Sequence, residues 1–252
     1  MAKLFRDGVK IHYEVHGSGP AVLLSHGYSS TCRMWDGQIA AFKGKYKIIV
    51  WDMRGHGSSD YPRARAKYSE ELTVGDMAAI LAACGESRAV IGGLSLGGYM
   101  SLAFHARKPE MCRALMLFDT GPGFKSDEAR AKWNASAEAR AQRWEKEGLA
   151  ALGSSDEVRI SRHRNASGLA GSARGMLAQA DDRVIQSLGE IALPTLVLVG
   201  ANDTNFLAAT DYMAAKIKGS TKVVIPGAGH AANLHQPAAF NKAMGDFLAK
   251  LT

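Results

Sequence analysis

Apolar positions along the chain follow two rhythms. Two short alternating stretches, Lys3 to Phe5 and Val9 to Val15, flank Arg6-Asp7-Gly8, and an Asp-Gly pair between alternating segments predicts an antiparallel hairpin. Further on, short continuous apolar runs replace the alternation: Ala21 to Ser25, Lys47 to Trp51, Ala89 to Ile91, Ala114 to Phe118, Thr195 to Val199 and Lys222 to Ile225. Runs of this kind, separated by loops and helical patterns, suit central parallel strands buried on both faces. Helical periodicity appears from Thr73 to Ala82, where Asp76 completes a capping-box-like pattern and Gly85 is a stop. It returns after Gly97-Gly98, from Thr210 to Ile217, and from Pro237 to Leu248.

Between Gly121 and Glu190 the strand rhythm disappears. Ser126 is placed to cap a helix with Asp127 and Glu128 in its first turn, and Trp133, Ala137, Ala141 and Trp144 recur on one face. Further helical pieces are predicted around Asp156 to His163, Ser172 to Ala180 and Asp181 to Leu188. The pattern divides the chain into an α/β core, 1–120 and 191–252, and an all-helical cap, 121–190, inserted between strands 6 and 7.

The 252 residues are enough for one such domain with its insertion, and 46% hydrophobic with 22% charged residues is an ordinary globular composition. No apolar run approaches a membrane span, and the start M-A-K-L-F-R-D-G lacks a signal-peptide core, so a cytoplasmic protein is expected. The net charge of +7 is spread among interleaved acids, which favours a solvated surface over a nucleic-acid footprint. Cys32, Cys84 and Cys112 are widely spaced, read as reduced thiols, and form no metal-binding motif.

The chemistry concentrates in Gly93-Leu94-Ser95-Leu96-Gly97, a G-x-S-x-G sequence between an apolar run and a helical one. It predicts a strand, a sharp turn and a helix with Ser95 at the apex, the geometry that presents a serine nucleophile. Asp203 and His230 also lie just beyond strand ends, and the chain order is Ser, Asp, His. Serine needs a base to take its proton as it attacks, imidazole suits that task, and a carboxylate fixes the imidazole tautomer.

These motifs, with His26-Gly27-Tyr28 and Asp52-Met53-Arg54-Gly55-His56-Gly57-Ser58, make the chain resemble the α/β-hydrolase fold superfamily over essentially its whole length. The resemblance is to its small, cap-bearing branch of 3-oxoadipate enol-lactonase-like and esterase-like enzymes. It implies a mostly parallel eight-stranded sheet with helices on both faces. It makes Ser95 the nucleophile, His230 the base and Asp203 the acid, and assigns the oxyanion hole to the backbone N–H groups of Leu96 and Tyr28. Asp119 is the rival acid and His235 the rival base. The Gly200-x-x-Asp203 setting and the glycine-rich loop before His230 favour the first assignments.

Other polar residues receive quieter readings. His26 and His56 brace the cleft, the remaining histidines serve surface or packing roles, and Asp52 and Arg54 hold their own loop together. Arg33 is a candidate contact for an acidic substrate. Trp133 and Trp144 are expected to roof the substrate pocket. The implied activity is cleavage of a small-molecule carboxylic ester through an acyl-enzyme, with no metal or organic cofactor and no nucleic-acid or membrane partner. Enol-lactone hydrolysis, perhydrolysis and C–C cleavage are alternatives on the same triad. A ligand-binding member of the fold is the non-enzyme alternative.

Overall fold

A computed structural model describes residues 2–251, which fold around one eight-stranded sheet. β1 (Ala2–Arg6) and β2 (Val9–His16) form the expected hairpin, with Asp7 and Gly8 at φ 52° and 72° in its turn. Positive φ at both central residues gives the turn the twist of its strands, which accounts for Asp-Gly there. β2 pairs antiparallel with β4 (Lys47–Asp52), and the other pairings are parallel. The remaining strands are β3 (Ala21–Ser25), β5 (Ala89–Leu94), β6 (Cys112–Phe118), β7 (Thr195–Gly200) and β8 (Thr221–Ile225).

The sheet order is β1-β2-β4-β3-β5-β6-β7-β8. The chain leaves β3 for β4 on one side and returns to β5 on the other, so the order reverses at β3. A crevice opens beyond the carboxyl ends of strands at such a reversal. The loop Gly27–Ser30 and the Ser95 turn flank it.

Alternate residues of the central strands feed two cores. Leu23, Ile49, Ile91 and Val197 pack with Met77 and Ile80 of α2 (Glu70–Ala83) and Met100 and Phe104 of α3 (Leu96–Arg107). Val22, Val50, Val90 and Leu196 face the other way, onto Ile39 of α1 (Asp36–Phe42) and Phe240 and Met244 of α10 (Pro237–Leu248). The period of two along a strand therefore builds a three-layer sandwich.

Several boundaries differ from the sequence reading. α2 begins at Glu70 rather than Thr73, because Ser69 Oγ accepts from the Leu72 N–H at 3.0 Å. Asp76 is not its cap partner: the carboxylate is fully buried against Arg54. α8 (Leu207–Lys216) starts three residues before the expected Thr210, and the short α1 and α9 (Ala232–His235) offer too few turns for periodicity to mark.

Residues 121–190 hold only helices. α4 (Asp127–Glu147) is capped by Ser126 as expected, and Ala137, Ala141 and Trp144 form its buried face. The later pieces shift: α5 is Asp156–Arg159, α6 is Ala166–Ser172 capped by Asn165 Oδ1, and α7 is Arg183–Gln186. A π-helical turn, Ala173–Leu177, takes the place of the helix expected from Ser172. Small residues dominate α6, so its face is set by packing against α4 rather than by a hydrophobic stripe. Trp144, Leu169, Ala170 and Ala173 make a separate core, and Tyr28 packs against it from the sheet side.

Candidate active site

The Ser95 turn is built by steric necessity. Ser95 has φ 55° and ψ −116°, sharply disfavoured for a side-chain-bearing residue. A Cβ at Gly93 would lie 2.4 Å from the Gly97 carbonyl carbon, and one at Gly97 would lie 2.2 Å from Ser25 O. Only glycine lets β3, β5 and α3 pass this closely. The turn is held by Ser95 N–H on Phe118 O at 2.9 Å and by Thr120 Oγ1, which donates to Ser95 O at 2.6 Å.

His230 follows β8, and its Nδ1 donates to Asp203 Oδ2 at 2.7 Å. Asp203 is 5% exposed, and the His230 ring stacks on Phe206 with centroids 5.1 Å apart. Burial works against the imidazolium, but the hydrogen bond and charge of Asp203 outweigh it and raise the His230 pKa above 6.5. Ser95, Asp203 and His230 line one cavity of about 930 Å³, together with Tyr28, Leu96, Trp133 and Trp144. The fold thus brings the residues expected to act as triad, oxyanion hole and roof to a single opening.

The rivals take other places. Asp119 Oδ1 accepts from the Gly200 N–H at 2.8 Å, and burial pushes its carboxyl up to about 8. His235 Nδ1 accepts from the Gly229 N–H at 2.9 Å and so braces the loop of His230.

The two tryptophans line the cavity and are also polar anchors. Trp133 Nε1 donates to Leu177 O at 2.7 Å. Trp144 Nε1 donates to the Tyr28 hydroxyl at 2.7 Å, and that hydroxyl donates to Leu169 O at 2.8 Å. The Tyr28 side chain therefore ties the β3 loop to the helical insertion, a contact that the sequence, which drew attention only to its backbone N–H, gave no reason to expect.

Three histidines stand behind that loop. His26 Nδ1 donates to Gly27 O at 2.7 Å while Nε2 accepts from the Met53 N–H at 3.0 Å. His56 bridges Ser29 N–H and Arg54 O, at 3.2 and 3.1 Å. His163, which the sequence reading left among surface and packing residues, bonds Ser29 O at 3.0 Å. Its flanking sequence, Arg162 and Arg164, carries no signal of this role. Burial lowers all three pKa values, His26 to about 4, so the rings are neutral and each nitrogen has a fixed role.

Two arginine readings are corrected. Arg54 does not hold its own loop but reaches Asp76 on α2, at 2.7 Å from Nε and 2.8 Å from a terminal nitrogen. Arg33 does not reach the cavity lining. Its guanidinium bonds Glu14 and lies 3.2 Å from Asp36. Asp52 does brace its loop through Ser58 N–H, and also binds the Cys32 N–H, both at 2.8 Å.

His12, Glu14 and Cys32 place donor atoms within 4.8 Å of one another. Burial favours a neutral Glu14, but hydrogen bonds from Arg33, His12 and His16 prevail and hold it near 2. The cation facing this carboxylate is Arg33 itself, so the group is a brace between β2 and the turn at Cys32–Trp35. Among the described residues no helix is long and apolar enough to cross a membrane.

Comparison with known proteins agrees with this architecture. Residues 22–243 match the alpha/beta hydrolase family. The chain is 30% identical over 262 residues to 3-oxoadipate enol-lactonase 2 of Acinetobacter baylyi, covering 96% of this chain and 94% of that one. The crystal structure of an enol-lactonase from Burkholderia xenovorans superposes with a TM-score of 0.81 at 25% identity, over 98% of this chain and 100% of the other. A thermophilic esterase from Thermogutta terrifontis, with malate bound, gives 0.83 at 27% identity, over 100% and 99%. With most of its length matched, and with a strained serine turn, a bonded Asp–His pair and a reversing parallel sheet, the chain belongs to the alpha/beta hydrolase family.

Proposed function

We propose that the protein is a serine hydrolase that cleaves carboxylic esters through an acyl-enzyme. The observation that carries this reading is the 2.7 Å bond from His230 to buried Asp203 on the same cavity as Ser95 at its strained turn. Asp203 holds the His230 ring with its proton on Nδ1, leaving Nε2 to accept the Ser95 proton as Oγ attacks the carbonyl carbon. The negative charge then forms on the carbonyl oxygen. Leu96 N–H opens α3 and has no acceptor within the helix, and Tyr28 N–H has none among the described residues. Those two donors, aided by the positive end of α3, fit the role of an oxyanion hole. The His230 imidazolium next protonates the leaving alcohol, and water activated by the same ring releases the acid.

Residues 121–190 act in this reading as a cap, with Trp133 and Trp144 in the pocket roof. One roof residue favours a narrower substrate class. Arg140 lines the cavity, and among the described residues no carboxylate pairs with it, whereas Arg130 and Arg143 on the same helix and Arg174 on the π-helical turn packed against it all have acidic partners. Its helical neighbours at three and four positions are Ser136, Ala137, Arg143 and Trp144, so its own helix provides no acid for it. An ester or lactone that carries a carboxylate would complete this pair. The Acinetobacter relative is named for the enol-lactone of 3-oxoadipate, and the Thermogutta esterase holds malate, which is in keeping with an acidic ligand.

The test is hydrolysis of neutral p-nitrophenyl esters from acetate to decanoate and of a p-nitrophenyl hemisuccinate, with Ser95→Ala and Arg140→Ala. Turnover is expected to vanish in Ser95→Ala. Arg140→Ala is expected to raise KM for the hemisuccinate about two- to fivefold, the scale of one exposed ion pair, and to leave the neutral esters unchanged. Turnover that survives Ser95→Ala would refute the mechanism. Equal effects of Arg140→Ala on both esters would refute the acidic substrate class.

A further inference from the structure

The loop that carries Tyr28 turns at Ser29, where φ is 57°, a left-handed conformation that a side chain disfavours. Both polar groups of that residue's backbone are gripped by imidazoles. Ser29 N–H donates to His56 Nε2 at 3.2 Å, and Ser29 O accepts from His163 Nε2 at 3.0 Å. The first ring comes from the loop after β4, the second from the stretch between α5 and α6 in the helical insertion. The rings lie edge to face with centroids 5.6 Å apart, and the Gly57 N–H points to His163 Nδ1 at 3.4 Å. Ser29 Oγ donates to Tyr28 O at 2.7 Å, and the Tyr28 hydroxyl is held by Trp144 and Leu169. The polar groups of Tyr28 and Ser29 are therefore held, and among the described residues only the Tyr28 N–H of these has no acceptor.

We propose that His163 is a positioning residue for the oxyanion hole: from the insertion it holds the Ser29 carbonyl, while His56 holds the Ser29 N–H, and together they aim the Tyr28 N–H at the substrate carbonyl. This rests on the serine hydrolase reading of Ser95 and Tyr28. The insertion thereby contributes to the chemical step and not only to the pocket wall. His163 is not among the residues that line the cavity, so it acts without touching substrate. A donor that is misaimed rather than deleted costs less than the roughly 10²–10³-fold rate loss of removing one outright.

The experiment compares wild type with His163→Leu, His163→Gln and His163→Asn. Glutamine can place its amide N–H where Nε2–H stands, and the shorter asparagine cannot. Each protein is assayed for kcat and KM on the best p-nitrophenyl ester, for the second-order rate of labelling by a fluorophosphonate, and for inhibition by a trifluoromethyl ketone of matching chain. His163→Leu is expected to lower kcat, the labelling rate and ketone affinity about 10–100-fold with KM within twofold. His163→Gln is expected to recover at least tenfold over His163→Asn. Should the leucine variant fail to fold, the Gln against Asn comparison decides alone.

A leucine variant with kcat and labelling rate within twofold of wild type would overturn the proposal. So would a rise in KM alone, which would make His163 a pocket-shaping residue. Equal Gln and Asn variants would also overturn it. The serine hydrolase reading fails separately: its failure shows as wild-type protein that neither turns over ester nor takes the fluorophosphonate label at Ser95.

Discussion

At the scale of single residues, the site rests on charges and protons whose positions are set by burial. The Asp203–His230 bond raises the pKa of His230, and the base works only when neutral, so kcat/KM is expected to rise with pH through a midpoint above 6.5. Asp203→Asn is expected to cut kcat about 10³–10⁴-fold at neutral pH while the substrate still binds, as found where a triad carboxylate is lost. Steady-state kinetics from pH 5 to 9 on both proteins check this, and a flat wild-type profile would count against His230. His26 titrates in the opposite sense. Burial lowers its folded pKa to about 4, so below 6.5 the unfolded chain binds a proton that the folded chain refuses. Stability is full above 6.5 and is lost as pH falls toward 4, by up to about 3 kcal/mol from this ring alone. Glu14, held near 2, adds its loss only below about 4.5. Asp119, held near 8, works the other way and adds stability as pH falls, so the His26 share is read as the difference in urea midpoint between wild type and His26→Gln at pH 7.5, 5.5 and 4.5, which is expected to shrink as pH falls.

At the scale of elements, the strand–turn–helix at Ser95 was legible because sterics leave few sequences able to make it. Gly93 and Gly97 face backbone at 2.4 and 2.2 Å, so Gly93→Ala is expected to cost about 3 kcal/mol or more, while Gly189→Ala, with nothing near its Cβ, stays within about 0.5 kcal/mol. Thermal unfolding of the two variants measures the contrast. All eight strands were also readable: the central runs are buried on both faces and carry no competing polar pattern, and β1 and β2 alternate, but β8, expected to be buried on both faces, is an edge strand with most of its residues exposed. The start of α2 was misplaced for a definite reason. Thr73 and Asp76 have the spacing of a cap, but Asp76 is consumed by Arg54 and the true cap is Ser69. The pieces after α4 were blurred because α6 and the π-helical turn are rich in glycine, alanine and serine, whose pattern does not mark an inward face.

At the scale of the whole molecule, the candidate site is assembled by topology from residues far apart in the chain. The order reversal at β3 opens the crevice, the ends of β5, β7 and β8 deliver Ser95, Asp203 and His230, and the insertion closes over them. Sequence motifs marked these residues because each sits in a glycine-bearing loop at a strand end. The contacts that cross from the insertion to the β3 loop, Trp144 to Tyr28 and His163 to Ser29, had no such marker: they are separated by 116 and 134 positions and depend on how short helices pack. Arg140 was invisible for the same reason, since its significance lies in the partner it lacks. The central claim is that Ser95 is the activated nucleophile of this assembly. The most direct measurement is peptide mapping by mass spectrometry after treatment with a fluorophosphonate. The expected result is one phosphonyl group, on Ser95, absent from Ser95→Ala and slowed in Asp203→Asn. An adduct on another residue, or labelling that persists in Ser95→Ala, would contradict it.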